Sequence, residues 1–174
     1  FDFVSRYAQH RGDVAEDTGD TTGLMSGRKF GDAVIELGAD CAAAGAKIVI
    51  EAKEVAKYSL KEAREEIENA RKNRDAQQGI FVFSKLTAPS MDPIVRHGAD
   101  VFVVWDAEDT QTDSYFQAAL EISRALCVRR CQAAKAISID FAPIDSAMLA
   151  IEQGAKNLEK IRTSAETIRK SSDA

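Results

Sequence analysis

Asp32, Glu51 and Lys53 are the residues in this chain whose types and spacing point most directly to chemistry. The run KIVIEAK, 47–53, is apolar enough for a buried strand, yet it closes with a carboxylate and an ammonium two positions apart. Side chains alternate along a strand, so Lys47, Val49, Glu51 and Lys53 share one face. A second alternating run, GDAVIEL at 31–37, lies across the small-residue loop GADCAAAGA, which reads as a hairpin with a longer connection. With the loop symmetric about Cys41 and Ala42, Asp32 falls opposite Glu51, Val34 opposite Val49 and Glu36 opposite Lys47. Ala33, Ile35, Ile48 and Ile50 then form a greasy opposite face. Two carboxylates and a lysine converge at one end of the hairpin.

Carboxylates presented together repel unless a cation neutralises them. Mg²⁺ takes oxygen ligands, keeps several waters and is held by one or two protein carboxylates together with phosphate oxygens. Asp32 and Glu51 would be such ligands for Mg²⁺ or Mn²⁺. Lys53 beside them would stabilise an attacking nucleophile or the charge developing on a phosphodiester. The plainer alternative is a solvated salt-bridge cluster on the open face of an antiparallel hairpin.

Other elements must hold this hairpin in place. Residues 2–10 read as a short helix with Phe3, Val4 and Tyr7 on one side, and the Gly-, Thr- and Asp-rich stretch up to residue 29 reads as loop. SLKEAREEIENARKNR opens on a capping box, Ser59 with Glu62, and ends in Arg71, Lys72 and Arg74, cations suited to the negative end of a helix dipole. Leu60, Ala63, Ile67 and Ala70 form its apolar stripe, with Glu62, Glu66, Asn69 and Asn73 along the next line. GIFVFS (79–84) and DVFVVWD (100–106) read as buried strands, the first reached by a crossover from the helix. Asp106, Glu108 and Asp109 mark a strand end and helix start. A long, largely buried helix is expected from Asp113 to Ala136, then a turn around DFAPIDS. A last helix follows, whose Ile144, Met148, Ile151, Ala155 and Leu158 form a seam.

The order Gly31-Asp32, then Glu51-Ala52-Lys53 closing an apolar strand, then a capped helix and a further apolar strand resembles the PD-(D/E)xK, or restriction-endonuclease-like, nuclease superfamily over residues 28–106. The resemblance implies that Asp32 and Glu51 are metal ligands and Lys53 the catalytic lysine, acting on DNA with Mg²⁺ or Mn²⁺. Some members carry an accessory polar group on the helix after the lysine strand, for which Glu66 or Asn69 stands here. Glu16 is the best match to an acidic residue near the first helix. The later helices are reminiscent of the RmuC-like branch. Gly31 replaces the proline of the family name.

The expected fold class is α/β, a mixed central sheet flanked by helices with a C-terminal helical arm. It divides into an N-terminal helix and loop (1–27), a nuclease-like core (28–136) and the arm (137–174). Residues 144–168 would pair with a partner helix or a second copy. The runner-up function is a non-catalytic assembly module that keeps the nuclease fold. With 28 acidic against 23 basic residues there is no basic footprint, so any DNA contact must be local. His10 and His97 stand far apart and form no zinc motif, and Cys41, Cys127 and Cys131 read as unreactive thiols. Asp17-Thr18-Gly19 is the aspartic-protease tripeptide, but it lacks the preceding apolar strand and a second copy. No Gly-rich phosphate loop follows a strand, and no Ser or Cys nucleophile has a histidine nearby. With no leader or spanning segment the chain reads as soluble and cytoplasmic. Its start at Phe1 suggests a segment of a longer protein.

Overall fold

The hairpin register expected from the loop's symmetry is the one observed: Val34 pairs with Val49 and Glu36 with Lys47. The computed structural model describes residues 1–134 and 141–172. In chain order the elements are α1 (Asp2–His10), β1 (Val14–Asp17), β2 (Ala33–Glu36), β3 (Lys47–Lys53), α2 (Leu60–Arg74), β4 (Gln78–Ser84), β5 (Ile94–His97) and β6 (Asp100–Trp105). A 3₁₀ turn, Thr110–Thr112, then leads into α3 (Asp113–Ala134) and α4 (Ala142–Ser172). The strands form one six-stranded sheet in the order β1-β2-β3-β4-β6-β5. Strands β1 to β3 make an antiparallel meander, β3, β4 and β6 run parallel, and β5 closes the far edge antiparallel to β6. The protein is thus α/β, a mixed open sheet with flanking helices and long C-terminal helices.

Both faces of this sheet are covered. Ile35, Ile48, Ile50, Ile80 and Val82 pack under α1, α3 and the first half of α4. Val34, Val49, Phe81, Phe83 and Phe102 pack under α2. Coverage on both sides explains why β3 and β4 are nearly continuous apolar runs. It also corrects one expectation: the Val34 and Val49 side of the hairpin is no open polar face but a second core, charged only at its two ends, by Glu36 with Lys47 and by Glu51 with Lys53. Each fully buried Ile or Phe contributes roughly 1.5–3 kcal/mol. Helix α2 approaches β4 closely at Gly79, where a Cβ would stand 2.5 Å from Ile67.

Two strands were not expected. The segment taken as loop contains β1, and β5 precedes β6. Both are four-residue edge strands, and β1 leaves Val14, Glu16 and Asp17 exposed, so neither shows an alternating pattern. The turn expected around DFAPIDS is helical from Ala142, with Pro143 in the first turn, where its missing N–H costs nothing. Residues 135 and 136 of the preceding helix and the boundary at 137 lie outside the described residues. The seam of α4 is filled as far as Ala155, with Met148 and Ala155 buried and Ile144 and Ile151 against the core, and it opens at the half-exposed Leu158. Among the described residues no helix is long and apolar enough to cross a membrane.

The cations at the end of α2 also depart from expectation. Arg71 is bonded to Asp100 at 2.7 Å, and only Lys72 stays on the surface, paired with Glu68. Arg74 turns inward and donates to the carbonyls of Thr18 (2.6 Å), Thr21 (2.8 Å), Phe30 (2.8 Å) and Gly31 (3.1 Å). Main-chain carbonyls of an irregular loop, shielded from water, attract a guanidinium more strongly than a helix dipole in water does.

Candidate active site

Glu51 sits near the carboxyl end of the central strand β3 and is only 4% exposed. Its Oε2 accepts a 2.6 Å hydrogen bond from the Gly31 amide, and its Oε1 lies 3.3 Å from Lys53 Nζ. Gly31 is buried with φ +91°, and a Cβ there would meet Val49 at 2.7 Å and Arg74 at 2.9 Å. Only glycine therefore fits at this point. Asp32 follows directly, and its Oδ2 accepts from the Ala52 amide at 2.8 Å. The 18–32 loop that carries both residues is clamped by Arg74, by the Thr18 hydroxyl on the Gly31 carbonyl (2.8 Å), and by the buried Asn73, whose amide donates to the Phe30 carbonyl at 2.9 Å.

The second half of the site comes from α2. Its start is set by the expected capping box, with the Glu62 amide donating to Ser59 Oγ (3.2 Å) and the Ser59 amide to Glu62 Oε2 (2.9 Å). One turn later Glu66 reaches back over β3, and Lys53 Nζ lies 2.7 Å from its carboxylate. The Tyr58 hydroxyl donates to the other oxygen of Glu66, and its ring stacks on Phe81 at 5.8 Å. Glu51 thus feels the charge of both Asp32 and Glu66, and Lys53 lies between Glu51 and Glu66.

The imbalance shows in the proton affinities. Burial, then the charge of Asp32, raises Glu51 to about 7 against the opposing pull of Gly31 and Lys53. Burial also raises the affinity of Glu66, but the hydrogen bonds from Lys53 and Tyr58 outweigh it and hold this carboxyl below its ordinary range. For Lys53 burial pulls the other way and is overcome by Glu66 and Glu51, so the ammonium is held more firmly than usual. At neutral pH the site holds a firmly protonated lysine beside a carboxyl poised to lose its proton.

The structure brings Glu51, Lys53 and Glu66 into contact, and Asp32 stands near Glu51 with its own bond to the Ala52 amide. Asn69 makes none of these bonds, and Glu16 lies on β1 rather than on the first helix, paired with Val34 and lining a cavity beside Thr18 and Arg74. The Asp106, Glu108 and Asp109 group is structural as expected: Asp109 accepts from the Gln111 amide and pairs with Lys85 at 2.7 Å. The thiols are free, and burial pushes Cys127 up to about 12. Tyr58 was missed, as were Arg74 and Asn73 as clamps. The only available signal for Tyr58 was its place immediately before the capping box, and for the other two it was their polarity in the last turn of α2.

Among the described residues no three or more Asp, Glu, His or Cys side chains are arranged to hold a metal by themselves. Two carboxylates are nonetheless a donor set that suits Mg²⁺ when water and phosphate complete its shell. Asp32 and Glu51 each spend one oxygen on a backbone amide. Comparison with protein-family models, with curated proteins and with solved structures found no match.

Proposed function

We propose that this chain is a Mg²⁺- or Mn²⁺-dependent deoxyribonuclease, or the nuclease module of a larger DNA-processing protein, on a restriction-endonuclease-like core. The observation that supports this best is Glu51: a buried carboxyl at the end of the central strand, crowded by Asp32 and Glu66, with one lysine among the three. Such a site is under-neutralised by the protein alone, and a divalent ion would balance it. The strand that ends in Glu51-Ala52-Lys53, the capped helix α2 after it and the crossover to a parallel β4 support this reading, being the elements on which the resemblance rests.

Asp32 and Glu51 would hold the ion, which when bound polarises phosphate oxygens and lowers the pKa of water. Glu51 would have to be ionised to hold the ion, so binding near neutral pH would release its proton to solvent. Glu66 and Tyr58 hold Lys53 in one place. Lys53, kept charged, donates to the oxygen on which negative charge develops.

Purified protein with Mg²⁺ should cut DNA, and Glu51→Ala should abolish cutting with the circular-dichroism melt preserved. Calorimetry with Mn²⁺ should give heat that Asp32→Asn removes, with proton release at pH 7 that Glu51→Gln removes. Undiminished cutting in both Glu51→Ala and Lys53→Ala would overturn the assignment.

A non-catalytic assembly module is favoured by a different observation, the exposed Leu158, Ile161 and Ile168 on the far half of α4 together with a net charge of −5. It predicts no metal heat and a self-association that charged substitutions at those three positions abolish.

A further inference from the structure

A cavity of about 260 Å³ lies beside Asp32, on the α1 side of the sheet. Phe3, Trp105 and Phe116 line it, and their rings are in mutual contact, with centroids 5.1 to 5.7 Å apart. Asp17, Gly19 and Asp32 line it as well. Oδ1 of Asp17, which already accepts from the Gly19 amide at 3.3 Å and keeps a second lone pair, and Oδ1 of Asp32 both lie 3.7 Å from the point a Cβ on Gly19 would occupy, so the two flank one opening. A second cavity, lined by Lys53, Glu54 and Ser84, shares Ala52, Val82 and Trp105 with the first. The two spaces meet over the carboxyl ends of β3, β4 and β6, where open α/β sheets bind their ligands.

An occupant of the first cavity needs a flat apolar body for the aromatic wall and an N–H donor for the Asp17 carboxylate, since Asp32 Oδ1 is the oxygen left for the ion, and it must be joined to something that reaches Lys53. We infer that this cavity receives one unstacked nucleobase bearing an exocyclic amino group, so that the substrate is single-stranded or frayed DNA. The inference rests on the nuclease reading and names its substrate. Base–aromatic stacking is a usual means of gripping single strands, and a carboxylate accepts from the cytosine amino group. In a duplex the same base is stacked on its faces and paired on its edge, so neither contact is open. The cavity falls near the lower end of the range of about 300–1,000 Å³ for small-molecule sites, which suits one ring system.

Trp105 is the only tryptophan of the chain, so its emission reports on this cavity without a label. Metal-free protein titrated with a short oligodeoxycytidine strand should show saturable quenching. A blunt duplex, or a strand abasic at its end, should not quench. Gly19→Leu fills the opening from a backbone with ordinary clearance. It should keep the circular-dichroism melt and weaken binding of the oligodeoxycytidine about tenfold or more, the loss of one stacked base. Should that variant not fold, the abasic comparison on the unaltered chain decides alone. Equal quenching by duplex, or by the abasic strand, would overturn the inference. Mg²⁺-dependent cutting without any quenching overturns the base pocket and leaves the nuclease. Quenching without cutting keeps the pocket and removes the nuclease, and no binding of any DNA removes both.

Discussion

Helix α2 faces two buried carboxylates on the sheet, and they are treated in opposite ways. Toward its end, Asp100 meets Arg71 through two hydrogen bonds, at 2.7 and 3.4 Å, one acid to one base. Nearer its start, Glu51 shares one lysine with Glu66 while Asp32 adds its own charge. Burial raises the proton affinity of both Asp100 and Glu51, and Arg71 opposes that rise at Asp100. The matched pair satisfies itself, whereas the crowded group leaves a charge deficit that a cation would fill. A buried pair whose charges cancel is a fastener; a buried group whose charges do not cancel has a cost that folding alone does not explain.

Four experiments sharpen or break this contrast. The largest effect should be on rate: Lys53→Ala should slow DNA cutting by about 10²- to 10³-fold, as for loss of a group that stabilises developing charge, with little change in the thermal melt. Next, Arg71→Ala should strand the Asp100 carboxylate and destabilise the fold by about 3 kcal/mol in urea unfolding, with the rate lost only in proportion to unfolded protein. If instead the two variants have interchanged effects, the division of roles is wrong.

The third effect is smaller and depends on pH. The Glu51 carboxyl is raised from an ordinary 4.5 to about 7 in the fold. Between those values the folded chain keeps a proton that the unfolded chain has lost, so stability is complete below the lower value, falls as pH rises toward the upper one, and is flat above it. Glu51→Gln cannot ionise, so it should remove this slope and be more stable than the parent at pH 8 by about 2 kcal/mol, with no advantage at pH 4. A parent chain whose melting temperature rises from pH 5 to pH 7 through Glu51 would contradict the crowding. The smallest effect belongs to the exposed Lys72 and Glu68 pair, where Lys72→Ala should cost less than about 0.5 kcal/mol.

The hairpin, its register and the pairing of Glu51 with Lys53 were legible because strand alternation and a short loop leave little freedom. The capping box of α2 was legible for the same local reason. Strands β1 and β5 were not, because a four-residue edge strand buries too little to leave a pattern. Arg74 and Asn73 read as surface groups because their partners are main-chain carbonyls and amides of a loop more than 40 residues away, and carbonyls look alike in every sequence. The Phe3, Trp105 and Phe116 wall was hidden too, since its rings come from α1, β6 and α3, and only the assembled sheet brings those three together.

One glycine ties these regions together. The Gly31 amide hydrogen is held by Glu51, while the carbonyl of the same residue is gripped by Thr18 and Arg74. That hydrogen is therefore a native indicator dye for the neighbouring carboxyl. Its magnetic resonance should drift as the acid fills and empties and jump when an ion displaces the proton, so that a single backbone signal would record the electrical state of the whole pocket.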